Sequence, residues 1–165
     1  MRAFKRQQKI IKSKLLIMKN IVLTVADKSV FLIDDDPFIQ DVMTEQLNFL
    51  GVKNVLHASN GRQALQMLSE LPSAPDLVVC DVYMPVMDGM EFLTALAAQG
   101  YTGGVLLASG ADALMREISA TIAVESGLNL RGSYAKPLTN QQIEDALSAP
   151  SSAPFLAPFP APSKG

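Results

Sequence analysis

The sequence predicts an α/β domain, a doubly wound sheet of five parallel strands with helices on both faces. Three observations predict it. Short apolar runs alternate with stretches of helical apolar spacing five times over about 120 residues, the pattern of repeated strand–helix units. The clearest runs, Val30-Phe-Leu-Ile33, Leu77-Val-Val-Cys80 and Val105-Leu-Leu-Ala108, are continuously apolar. Such runs suit strands covered on both faces, as parallel sheets require. The residues directly after the runs carry chemistry: Asp34 and Asp35, Asp81, Ser109 and Lys136. In an open parallel sheet, ligands gather outside the carboxyl ends of the strands.

The elements follow in order. Residues 1–28 hold eight Lys/Arg and one acid, with Phe4, Ile11, Leu15, Met18 and Val22 at helical spacing. A basic amphipathic helix fits this spacing, and a solvated or frayed basic extension fits the composition. Lys19 and Asn20 interrupt what would be a signal peptide's apolar core. Met18 is also an alternative start. Val30–Ile33 is the first strand, and Asp36 with Pro37 starts a helix carrying Ile39, Val42, Met43, Leu47 and Leu50, stopped at Gly51. Capping accounts for Asp36 and leaves Asp34 and Asp35 unexplained. Residues 52–57 read as the second strand, Asn60-Gly61 as a turn, and Ala64, Leu65, Leu68 and Leu71 as the next helical face. The strand before Asp81 is followed by a turn at Pro85 to Gly89 and a helix through Met90, Leu93, Leu96 and Ala97. Val105–Ala108 is the fourth strand, and Asp112 caps a helix ending at Gly127. Gly132–Ala135 is a short, weak fifth strand. Thr139 or Asn140 caps the last helix. The crossover rule fixes the hand of these units, and the flavodoxin-like order 2-1-3-4-5 is the one expected. Residues 29–149 are thus the folded domain, and residues 150–165, with five prolines, read as a tail or linker.

Composition narrows the function. Residues 29–165 hold six Lys/Arg and fifteen acids, a net of −9 against +7 for residues 1–28. An acidic body argues against nucleic-acid binding by the domain, which needs a basic face. Cys80 is the single cysteine, so no internal disulfide forms, in keeping with a reducing compartment and hence the cytoplasm. It reads as a small buried hydrophobe. No apolar run reaches the roughly 20 residues of a membrane span. A homodimer through the Phe4/Ile11/Leu15 stripe is the self-association these residues allow.

In a parallel sheet the four chemical tips share one edge. Gathered carboxylates repel one another, and such a cluster usually signals a hard divalent cation, for which magnesium is the natural candidate. It accepts one or two carboxylates and keeps waters and phosphate oxygens as its other ligands.

The segment Asp81-Val-Tyr-Met-Pro-Val-Met-Asp88-Gly89 after an apolar strand resembles the phosphoacceptor segment of two-component response-regulator receiver domains. The other motifs follow in that family's order over residues 29 to about 149. The resemblance implies a phosphoacceptor domain that takes a phosphoryl group on Asp81 from a sensor histidine kinase or a histidine phosphotransfer protein and switches an output surface. It implies metal ligation by Asp34 through water, by Asp35 and Asp81 directly, and by the Tyr83 carbonyl, with Mg2+ as the ion. Lys136 would hold a phosphoryl oxygen and the Asp81 carboxylate, and Ser109 would turn to the new phosphate. Lys136-Pro137 is expected to be cis. The domain would signal rather than turn over an external substrate, and any effector, as a downstream domain or protein, would lie outside these residues. Gly127-Leu-Asn-Leu-Arg-Gly132 resembles, more weakly, receivers attached to EAL-type cyclic-diguanylate phosphodiesterases. One departure stands out: receivers often carry an aromatic three residues before the lysine, and here that place is Ser133, with Tyr134 one step on. Two rival readings are a haloacid-dehalogenase-like phosphatase, which resembles D-x-D at its nucleophile where this chain has Tyr83, and a pseudo-receiver that only binds proteins. Tyr83 at that second position, with no cap-domain insertion, argues against the first, and the complete set of Asp34, Asp35, Asp81, Ser109 and Lys136 argues against the second.

Overall fold

The computed structural model describes residues 2–149, without the side chains of residues 2–4 and 18–24. The Pro-rich tail expected over residues 150–165 lies outside the described residues. Helices and strands alternate as α1 (Arg2–Val25), β1 (Ser29–Ile33), α2 (Pro37–Phe49), β2 (Asn54–Ala58), α3 (Gly61–Glu70), β3 (Leu77–Cys80), α4 (Gly89–Ala98), β4 (Gly104–Ser109), α5 (Ala113–Glu125), β5 (Asn129–Ala135) and α6 (Asn140–Ser148). The five strands are parallel in the order β2-β1-β3-β4-β5, as expected.

Alternation along each strand divides the apolar side chains between two layers. Phe31, Ile33, Val78, Cys80, Val105 and Leu107 pack with Ala64 of α3, Phe92, Leu93 and Leu96 of α4, and Ala120 and Ala123 of α5. Val30, Leu32, Leu77, Val79, Leu106 and Ala108 pack on the other side with Met43 and Leu47 of α2 and Ile143, Ala146 and Leu147 of α6. Both faces of the sheet are therefore dry, which is why β3 carries no polar residue until Asp81. Burial also pushes the Cys80 thiol far above its ordinary range, so it stays protonated and acts as a small hydrophobe.

Several local expectations shift. The second strand begins at Asn54 rather than residue 52, because Val52 N–H still closes the α2 terminus on Leu47 O at 3.0 Å. Asn60 is the N-cap of α3, accepting from Gln63 N, and Gly61 is that helix's first residue rather than part of a turn. β5 starts at Asn129, three residues before the expected Gly132, because a register irregularity hides its periodicity. Residues 2–25 form a continuous helix rather than a frayed extension, and its last residue, Val25, is buried against the α6 layer.

Asp76 ties the N-terminal edge of the sheet. Its carboxylate accepts from Ser29 N at 2.8 Å, Ser29 Oγ at 3.1 Å and Lys28 Nζ at 3.2 Å. Burial works against the charge, but the Ser29 and Lys28 hydrogen bonds outweigh it and hold this carboxyl below its ordinary 3.8. A lowered value means the contribution is present above 3.8 and lost as pH falls through the folded value. Asp76→Ala is expected to cost about 1 kcal/mol at neutral pH, mostly through the Ser29 backbone bond since the lysine pair is exposed. Urea titrations of both proteins check it: the gap should narrow as pH falls below 3.8, and a gap unchanged in acid would mean the charge plays no part.

Candidate functional site

Strand register brings the chemical groups into one row. Ile33 pairs with both Ala58 and Cys80, so the next residues, Asp34 and Asp81, are neighbours. Their amides continue the ladder, Asp34 N to Ala58 O at 3.0 Å and Asp81 N to Ile33 O at 2.8 Å. On the other side Ser109 pairs with Ala135, and Lys136 N donates to Ser109 O at 3.1 Å. The Lys136-Pro137 bond is cis.

At the centre, Lys136 Nζ lies 2.5 Å from Asp34 Oδ2 and 2.7 Å from Asp81 Oδ2. Asp81 Oδ1 accepts from Tyr83 N at 3.2 Å, and Asp34 Oδ1 accepts from Asp36 N at 3.0 Å. Burial raises the Asp34 carboxyl above its ordinary value, outweighing the pull of Lys136 and the Asp36 N–H. Burial alone would lower Lys136, but its hydrogen bonds to Asp34 and Asp81 raise it, so the ammonium stays charged. Carboxylate oxygens of Asp34, Asp35 and Asp81 all lie within 4.8 Å of one another, with Asp35 exposed to solvent. Three acids thus face one lysine. An all-oxygen donor set of this kind suits a hard cation such as magnesium and offers nothing to a thiophilic metal.

Every predicted site residue is at this edge, in different states of readiness. Ser109 is fully buried, and its Oγ accepts from Ala111 N at 3.0 Å. Tyr83 is half exposed and reaches Asp81 through its backbone. Ser133, at the place where an aromatic was awaited, donates from Oγ to Arg116 O at 3.3 Å, and Arg116 in turn donates to Ala111 O. Tyr134 packs in the opposite layer, with Leu106 and Ala108.

Sequence reading passed over three supports of the site. Gln40 Nε2 donates to both Asp34 O at 2.7 Å and Ala58 O at 3.0 Å, satisfying two strand-end carbonyls; a lone amide on the inner side of a helix start was the available signal. Gly89 donates to Val82 O at 2.8 Å, and a Cβ there would stand 2.3 Å from Asp81 O. Gly61 N donates to Met87 O at 3.1 Å, pinning the loop after Asp81 to α3. That loop holds Val86 at φ 72°, a left-handed conformation costly for a β-branched residue.

Asp35→Ala is expected to weaken magnesium binding at least tenfold while leaving metal-free stability nearly unchanged, since an exposed side chain is removed. The rise of melting temperature with magnesium concentration, wild type beside variant, measures it. Coincident curves would remove Asp35 from the ligand set.

Comparison with known proteins agrees with this geometry. The family described as "Response regulator receiver domain" matches residues 30–148. A probable chemotaxis protein CheY of Rhizobium etli is 30% identical over 132 residues, covering 77% of this chain and 95% of that protein. The cyclic di-GMP phosphodiesterase RocR of Pseudomonas aeruginosa is 29% identical over 122 residues, 74% of this chain, which spans 31% of its length. This similarity accords with the resemblance noted at Gly127–Gly132. Among solved structures, a response regulator receiver domain protein from Clostridium thermocellum superposes with a TM-score of 0.63 at 25% identity, covering 73% of this chain and 90% of that one. A response regulator from Colwellia psychrerythraea gives 0.61 at 26% identity, covering 73% of this chain and 93% of that one. The acidic strand-edge cluster, the lysine on its cis peptide and the 2-1-3-4-5 sheet thus fall within a family matched over most of the chain, and this protein belongs to the response regulator receiver domains.

Proposed function

We propose that Asp81 is the phosphoacceptor, receiving a phosphoryl group from a sensor histidine kinase or histidine phosphotransfer protein in the cytoplasm and thereby switching an output surface. The observation that carries this is the lysine ammonium set between Asp34 and Asp81, at 2.5 and 2.7 Å. A carboxylate attacks phosphorus only where the charge of the transferring group is neutralised. Lys136 is placed to supply part of that neutralisation, and it holds Asp81 Oδ2 in a fixed direction. Asp81 Oδ1 is held by Tyr83 N–H. Attack by a carboxylate oxygen of Asp81 forms the new P–O bond, while the bond to the donor breaks and its electron pair leaves with the donor. Magnesium, held by Asp35, Asp81, the Tyr83 carbonyl and, through water, Asp34, would supply the remaining positive charge. Ser109 Oγ accepts one hydrogen bond and keeps its own proton to donate, so rotation about χ1 would offer that proton to a phosphoryl oxygen. The role is signalling, with kinase, phosphotransfer protein and effector as partners.

The test is incubation of the protein with magnesium and acetyl phosphate, followed by intact mass measurement. One phosphoryl adduct is expected, cleaved by neutral hydroxylamine and absent when a chelator is added before the acetyl phosphate. An unreacted protein, or an adduct that survives hydroxylamine as a serine ester does, overturns the reading.

A further inference from the structure

Among the described side chains of helix α1, Val25 at the C-terminal end is the one packed against the body. Val25 is buried, whereas every side chain from Lys5 to Ile17 is exposed, a stretch about 20 Å long at helical rise. Its large apolar residues Ile10, Ile11, Leu15, Leu16 and Ile17 are between 48% and 61% exposed. At roughly 100° per residue, Ile10, Ile11, Leu15 and Ile17 fall in an arc of about 160°, and Lys5, Arg6, Lys9 and Lys12 in an arc of about 120° opposite. Lys14 within the apolar arc and Leu16 within the basic one are the departures.

No acid occurs before Asp27, so charged neighbours such as Lys5 and Lys9 repel along the helix. A helix with repelling neighbours and no packing along this stretch is marginal in water. Its natural counterpart is both apolar and anionic. We propose that α1 lies in the plane of an anionic lipid surface, with Ile10, Ile11, Leu15 and Ile17 among the acyl chains and the lysines and Arg6 on the headgroups. No helix among the described residues is long and apolar enough to cross a membrane, so the helix lies on the bilayer rather than through it. A second copy is the poorer occupant, because Lys12 and Lys14 flank the Ile11/Leu15 seam and would meet their own charges. The acidic body adds no attraction for such a surface, so α1 alone tethers the domain.

Flotation of the full chain with vesicles tests this. Binding is expected to vesicles of equal parts phosphatidylglycerol and phosphatidylcholine, not to phosphatidylcholine alone, and to fall with added salt. Replacing both Lys9 and Lys12 with Gln should lower partitioning on the order of thirtyfold, about fivefold per charge. The double variant Ile11→Ser/Leu15→Ser should no longer float, while its body melts as wild type. The chain has no tryptophan, so Ile11→Trp gives a single reporter whose emission should shift to the blue on the anionic vesicles. Absence of flotation overturns the proposal. So does flotation that the serine variant leaves intact, since that is charge adsorption. A solution dimer broken by the serine substitutions, without flotation, assigns the face to a second copy instead.

Discussion

Asp81→Asn is expected to lose phosphoryl incorporation from acetyl phosphate to the level of unreacted protein. The substitution keeps shape and retains an oxygen for the Tyr83 N–H that now donates to Asp81 Oδ1 at 3.2 Å. What goes is the anionic nucleophile, and an amide oxygen replaces it poorly. The loss should be on the order of a thousandfold or more, equivalent to roughly 4 kcal/mol of barrier. Stability should not fall with it, because three acids face one lysine in the wild type and the variant removes one of them. Intact mass and a urea titration on the same samples separate the two effects. Incorporation at the wild-type level would pass the acceptor role to Asp34 or Asp35.

Gly89→Ala carries the largest expected cost in stability. Gly89 begins α4 against the backbone of Asp81, and an added Cβ would meet Asp81 O at 2.3 Å and Val82 Cα at 2.8 Å. Both are backbone atoms between a buried strand and a capped helix, so neither moves as a flexible side chain would. Helix propensity favours alanine by about 1 kcal/mol, but forcing the strand end and the helix start apart costs more, leaving a net loss of about 2–3 kcal/mol. The same displacement moves Asp81 away from Lys136, so phosphorylation should slow as well. A urea midpoint equal to wild type would mean that α4 shifts outward freely and that the tight approach has no energetic weight.

The legible part of the molecule is the part governed by local rules. Continuous apolar runs revealed β1, β3 and β4 because those strands are dry on both faces, and the residue after each run had to be the functional tip. Asp36 and Asp112 accept from backbone N–H groups at helix starts, as capping chemistry requires, whereas the Asp88 cap of α4 lay hidden in what reads as a turn. Asp34 and Asp35 stood out because capping left them over. Less legible features depend on partners distant in sequence. Gln40 looks like any helix polar residue until β1 and β2 end beside it. Asn60-Gly61 has the letters of a turn, but the second residue is a glycine because a Cβ there would meet Met87 Cγ at 2.7 Å and Phe92 Cβ at 2.8 Å. The N-terminal helix was legible as a spacing and not as a certainty, since its side chains from Lys5 to Ile17 gain nothing from the body.

The irregularity in β5 has a consequence for how related sequences are compared. Val105 pairs with Leu130, but the next residue, Leu106, pairs with Gly132, so Arg131 is a supernumerary residue in the ladder. Leu130 faces the α3–α5 layer, yet Tyr134, four residues later and so of the same parity, packs with the α2 and α6 layer. One extra residue has exchanged one face of the sheet for the other along the rest of the strand. Against a relative without the extra residue, an alignment anchored upstream of Arg131 and drawn without a gap therefore assigns each later residue of β5 to the wrong side of the sheet. Aligned from Lys136 backward, the residue on the α5 side is Ser133, bonded to Arg116 O. In such a match the aromatic expected three residues before the lysine falls on Gly132, while the ring of Tyr134 packs on the far side of the sheet.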